Sequence, residues 1–271
     1  MEFFKKLHTP ILYVLIVVSI VSCQGGYNRV LKSTDPNMKY DKAMEYYQSK
    51  RYKMAAPLFE ELISLYRGTT KSEKIYFYYA YCNYYMENYI LSGYYFDNFV
   101  KTYPNSEFTE EAMFMSGYSD YKSSPVYSLD QEDTDRALVN LNKFLAVYPL
   151  SPLKDSCNVL IKGLRAKLEK KAFENAFLYF QIMDYQAALI AFKGVLQDFP
   201  ESQYKEDVLY WMIVTNYEVA VKSVKNKKQE RFETTINSYY KFVDTFPESR
   251  KIPQAEKYYK NCVKHLETIN S

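Results

Sequence analysis

The stretch Phe99-Val100-Lys101-Thr102-Tyr103-Pro104-Asn105-Ser106 returns three more times in the same chain. It comes back as Phe144-Leu145-Ala146-Val147-Tyr148-Pro149-Leu150-Ser151, as Val195-Leu196-Gln197-Asp198-Phe199-Pro200-Glu201-Ser202, and as Phe242-Val243-Asp244-Thr245-Phe246-Pro247-Glu248-Ser249. In each copy an apolar pattern of helical spacing runs into an aromatic residue. The proline that follows lacks an N–H and crowds the preceding turn, so it ends the helix. Two residues later a serine offers a hydroxyl to cap the next one. One stop-and-restart signal at four places predicts one structural unit used repeatedly.

Laid along the chain, the phrase exposes a second regularity. Twelve residues before each proline stands a small residue, Ser92, Ala137, Ala188 or Thr235, and four residues after that a large one, Phe96, Leu141, Phe192 or Tyr239. An earlier copy reads Ala55 then Phe59, with Arg67 in place of the proline. In the preceding helices Ala43, Ala80, Gly117 and Ala176 stand where close helix contact demands a small side chain. This arrangement resembles the tetratricopeptide repeat, whose ideal period is about 34 residues. Apolar positions at helical spacing predict five helix pairs: 41–49 with 52–66, 73–86 with 89–103, 109–121 with 134–148, 152–183 with 185–199, and 205–222 with 231–246. A last helix over 253–269 caps the array, with Lys257, Lys260 and Lys264 outward. The polar segment 122–133 and the basic run 225–229 read as loops. The fold class expected is all-α, a right-handed solenoid of about five helix pairs with a concave groove, in one domain over 38–271.

The totals agree. The 271 residues hold 48% hydrophobic side chains, enough for a core, and only seven Gly, which disfavours a turn-rich β-fold. Aromatics are unusually abundant at 18%, with 30 Tyr and 17 Phe against one Trp. A net charge of +3 gives no nucleic-acid footprint.

The amino end reads as an address and an anchor. Lys5 and Lys6 precede an apolar run from Ile11 to Ile20, shorter than the ~20 residues of a membrane span and suited to a secretory signal over 1–22. Its end, Ile20-Val21-Ser22-Cys23, resembles the bacterial lipobox, which implies that Cys23 is lipidated and becomes the first mature residue. Residues 23–37 then read as a flexible tether. Cys82, Cys157 and Cys262 fall in helical context and are expected as buried thiols.

No catalytic constellation accompanies these features. There is no phosphate-cradling GxxxxGK[ST] loop, no HExxH, and one His, His265, outside the signal segment, so neither a zinc site nor a Ser–His pair is expected. The reading is therefore no enzyme, no cofactor, no metal and no small-molecule substrate. What remains is a surface. By the repeat alignment, Tyr40, Met44 and Tyr47, then Phe77, Tyr81 and Tyr84, then Phe114, Tyr118 and Tyr121 should line the groove. Tyr offers large contact area at modest entropic cost, which suits an extended peptide.

Beyond a generic array, the third repeat carries its insert before Leu129-Asp130-Gln131, and the fourth opens with a long helix through Leu164-Arg165, Leu168-Glu169, Ala172, Glu174, Ala176 and Tyr179 to Asp184-Tyr185-Gln186-Ala187-Ala188. With the lipobox, these features resemble the BamD family of outer-membrane lipoproteins. The resemblance implies a protein lipid-anchored to the periplasmic face of the outer membrane. It implies two kinds of partner, a BamA-like barrel protein and unfolded outer-membrane proteins, which it helps to fold and insert. Other periplasmic repeat lipoproteins, such as secretin pilots or cell-wall coordinators, use the same scaffold for docking.

Overall fold

The computed structural model describes residues 26–270. The signal segment and Cys23 lie outside the described residues. Twelve helices follow: α1 (26–31), α2 (Pro36–Gln48), α3 (Tyr52–Leu65), α4 (Ser72–Tyr85), α5 (Tyr89–Thr102), α6 (Thr109–Ser123), α7 (Glu132–Val147), α8 (Lys154–Gln181), α9 (Tyr185–Asp198), α10 (Lys205–Val221), α11 (Lys225–Thr245) and α12 (Ile252–Asn270). No strand occurs among the described residues. The fold is all-α, a tetratricopeptide-type array of helix pairs, and it divides into two compact units. The first holds residues up to Pro125 together with Glu132–Ile161; the second holds Val126–Gln131 and Lys162–Ser271.

In the first unit, successive helices from α2 to α7 pack on one another. The repeated small residues sit at the contacts: Ala43, Ala55, Ala80, Ser92 and Ala137 have no exposed surface, and Gly117 is buried. A Cβ on Gly117 would stand 2.9 Å from Leu141 Cδ2 and 3.1 Å from the Leu141 amide, so only glycine lets α6 and α7 approach this closely. The large partners Phe59, Phe96 and Leu141 are fully buried. In the second unit Ala176, Ala188 and Phe192 repeat the arrangement, with Phe173, Phe177 and Trp211 packed around them. Tyr239 departs from it. It is half-exposed and stacks on Tyr259 at 4.8 Å, while Thr235 and Phe242 are buried.

The aromatic-Pro-x-Ser phrase folds the same way four times. The amide of its aromatic bonds to the carbonyl four residues back, from Tyr103 to Phe99, Tyr148 to Phe144, Phe199 to Val195 and Phe246 to Phe242. The aromatic's own carbonyl accepts from the serine amide, closing a turn with proline at its second position. The serine hydroxyl then accepts the amide two residues on, at Phe108, Leu153, Tyr204 and Lys251. The irregular first copy shares the turn but not the cap, since the Thr69 hydroxyl donates to the Tyr66 carbonyl. Thr69 donates its amide to the Tyr66 carbonyl, Arg67 stands at the second position that proline takes in the other copies, and Gly68 at φ +80° takes the third, a left-handed position that suits glycine.

Two expectations need correction. Residues 26–37 are not a tether. Tyr27 and Val30 fall three apart on one face of α1; Val30 is buried, the Tyr27 ring meets Tyr46 edge-on at 5.7 Å, and its hydroxyl donates to the Met54 carbonyl. Asp35 then caps α2 by accepting the Asn37 amide, with Pro36 at the first helical position. Residues 225–229 are not a loop either. They form the first turns of α11, because Lys and Gln are good helix formers and no Gly or Pro interrupts them. Elsewhere helix ends agree within a few residues, and Lys257, Lys260 and Lys264 are exposed on α12. Cys82, Cys157 and Cys262 are free, buried thiols.

Candidate functional site

The candidate surface lies within the first unit, on α2, α4 and α6, the first helices of three successive pairs. Tyr47 near the end of α2 packs against Tyr78 at 4.7 Å and Tyr52 at 5.6 Å. On α4, Tyr81 and Tyr85 fall one turn apart and stack, with ring centres 5.8 Å apart and planes within 24°. Tyr85 also stacks on Tyr52 at 4.4 Å and lies 6.4 Å from Tyr47, which joins the first pair to the second. Tyr84 reaches Tyr118 on α6 at 6.0 Å and joins the second pair to the third. Tyr118 then stacks on Phe114 at 5.7 Å and Tyr121 at 5.9 Å, both nearly parallel. The result is a continuous ladder of rings across three repeats, at spacings where aromatic pairs attract.

Six of the nine expected groove residues, Tyr47, Tyr81, Tyr84, Phe114, Tyr118 and Tyr121, join this ladder, and each is half-buried. Three do not. Phe77 is 4% exposed, held by Phe108 at 4.6 Å and Phe99 at 5.5 Å, so it is core rather than groove. Met44 packs against the first core cluster. Tyr40 forms a separate group with Tyr66, covered by Lys71, whose Nζ stands 4.8 Å above the Tyr40 ring. Tyr85 was missed. At 47% exposure it presents more of its surface than the half-buried rings of the ladder, and its place one turn beyond Tyr81 was legible in the sequence.

The ladder is electrically quiet. Tyr81 donates its hydroxyl to the Glu111 carboxylate, and burial followed by that contact raises its pKa. Burial first, then neighbouring tyrosines, pushes Tyr84 up to about 12. Burial also raises Tyr47 and holds the Cys82 thiol at about 12. These rings stay neutral near pH 7 and can offer stacking faces and hydroxyl hydrogen bonds, with no nucleophile or proton donor tuned to that pH.

Polar weight falls elsewhere in the unit. The buried Asp120 carboxylate accepts from Arg136 Nε at 2.9 Å and from Asn140 Nδ2 at 2.7 Å, and Arg136 also binds Asp133. Gly93 leaves room for this carboxylate, since a Cβ there would stand 3.1 Å from Asp120 Oδ1. The acidic run 130–135 thus contributes Asp133 to an ion pair. In the second unit, Lys170 of the long α8 lies 4.2 Å above Tyr127 of the insert, and Lys171 donates to the Leu129 carbonyl. The two features most particular to the sequence therefore hold each other. Among the described residues no helix is long and apolar enough to cross a membrane.

This geometry defines a class: a tetratricopeptide-type helix-repeat protein with an aromatic-lined face. A family model described as YfiO, outer membrane lipoprotein, matches residues 32–232, and the chain belongs to that family. Among curated proteins, the outer membrane protein assembly factor BamD of Pasteurella multocida (strain Pm70) is 21% identical over 215 residues, covering 76% of this chain and 82% of that protein. The BamD resemblance read from the insert and the long helix is borne out. Similar solved structures include a TPR repeats protein from Bacteroides fragilis NCTC 9343, with TM-score 0.42 and 16% identity over 84% of this chain and 99% of that one. Another is the TPR2AB domain of yeast Sti1, with TM-score 0.39 and 10% identity over 84% and 98%.

Proposed function

We propose that this protein is a lipid-anchored assembly factor at the periplasmic face of the outer membrane. It binds a BamA-like barrel protein and unfolded barrel proteins to promote their insertion, and it catalyses no reaction. The family match over residues 32–232 and the assembly-factor relative support the general role. The observation that carries substrate binding is the ring ladder from Tyr47 to Tyr121 by way of Tyr85. Stacked tyrosines give a side chain from an extended segment wide faces to lie on, and their hydroxyls can bond its free backbone groups. The anchor is Cys23. Affinity purification of the acylated protein in mild detergent is expected to recover a BamA-like barrel protein. Repeated recovery without one would overturn the assembly role.

A further inference from the structure

Helix α1 is described from Gly26, three residues after Cys23, and the place where it lies is basic. Cys23 to Gly26 can span no more than about 11 Å fully extended. Tyr27 is tied beside the turn that joins α2 to α3, through its hydroxyl on the Met54 carbonyl and its ring on Tyr46. At that turn stand Lys50, Arg51 and Lys53, all exposed, and Arg29 is exposed on α1 itself. None of these four cations has an acidic partner within ion-pair distance among the described residues. Glu45, on the last turn of α2, is already bound to Lys42 at 2.6 Å. Lys50 sits at φ 58°, fixed by the amides of Lys50 and Arg51 on the Tyr47 and Tyr46 carbonyls, so the turn is a rigid mount.

We infer that Arg29, Lys50, Arg51 and Lys53 form a collar that seats the α2–α3 turn on anionic phospholipid headgroups around the acylated amino terminus. The inference rests on lipidation of Cys23. A short leash brings this end of the first unit to the bilayer, and unpaired cations within reach of the surface are attracted to anionic lipid. The acyl chains hold the protein to the membrane; the collar sets which end faces it. An anchored protein with an intact tether of fifteen residues could tumble freely, whereas one folded from residue 26 cannot stray far from the surface.

The test uses the full mature protein in lipid nanodiscs of phosphatidylcholine alone or with one part in three phosphatidylglycerol. Lysine acylation by a water-soluble reagent is read by mass spectrometry, with Lys257 and Lys260 on α12 as internal references. In anionic discs Lys50 and Lys53 should react at least about fivefold more slowly than in neutral discs, and high salt should erase the difference. The Arg29→Glu, Arg51→Glu variant should lose the protection while keeping wild-type helicity. The amino-terminal peptide in the same digest reports the anchor. A Cys23 without acyl mass overturns lipidation, and this inference with it. Acylated protein whose Lys50 and Lys53 react equally in both discs overturns the collar alone. Protection that needs an added acidic protein rather than anionic lipid assigns the surface to a protein partner and equally overturns it.

Discussion

At the residue scale, the tyrosines divide by what surrounds the hydroxyl. Burial raises Tyr76 and Tyr84 to about 12, against an ordinary phenol value of about 10. The folded state therefore holds these protons more tightly than the unfolded chain, so the stability they carry is intact below about pH 10 and drains away as pH rises toward 12. The melting temperature should stay level to about pH 9.5 and then fall, while absorbance at 295 nm shows part of the tyrosines titrating late. A single tyrosine class near pH 10 with no loss of stability would contradict this. The exposed ring of the ladder gives a second prediction. Tyr85→Ala should weaken binding of an aromatic-ended barrel peptide by about tenfold or more with little change in melting temperature, because Tyr85 is a surface ring. Tyr81→Ala should cost stability as well, since Tyr81 packs on Phe77 and Phe96 at 5.0 Å each. Fluorescence anisotropy beside thermal melts separates the two. The sequence could not make this distinction, because Phe77 and Tyr85 stand on one helix and their fates depend on what the next helices bring near.

At the element scale, two devices punctuate the chain, and only one was legible. The aromatic-Pro-x-Ser phrase names its own chemistry, so its turns could be read before the fold was known. The turns inside three of the pairs carry no such signature. Lys50, Glu87 and Met183 each adopt a left-handed φ between 58° and 65°, and each is followed two residues later by a tyrosine that opens the next helix. The hydrogen bonds repeat, with the amides of Arg51, Asn88 and Asp184 reaching back five residues to Tyr46, Asn83 and Tyr179. This is the helix stop that usually takes glycine. Because a non-glycine residue pays a steric penalty there, Glu87→Gly or Met183→Gly should stabilise the protein by roughly 0.5–1 kcal/mol, measured by urea denaturation. Destabilisation of that size would mean the side chain contributes packing that offsets the strain. The absence of glycine explains why these turns read only as short polar gaps. The same limit hid α1, whose two inward residues are too few to show a period beside Gln24-Gly25-Gly26.

At the scale of the whole molecule, composition and repeat spacing sufficed for the all-α class, and the irregular parts sufficed for the family. The insert and the long α8 stood out because they broke the period, and the Tyr127–Lys170 and Leu129–Lys171 contacts give them a shared structural reason. The division into two compact units was not legible, since α8 carries an unbroken helical pattern from one to the other. The role proposed for the molecule is the assembly of many different barrel proteins rather than the docking of one machine. Depleting it in living cells and quantifying the outer-membrane proteome tests that directly. A parallel fall in many unrelated barrel proteins, with inner-membrane proteins unchanged, is the expected result; loss of one secretin or one envelope complex, with the other barrels at normal abundance, would contradict the proposed role.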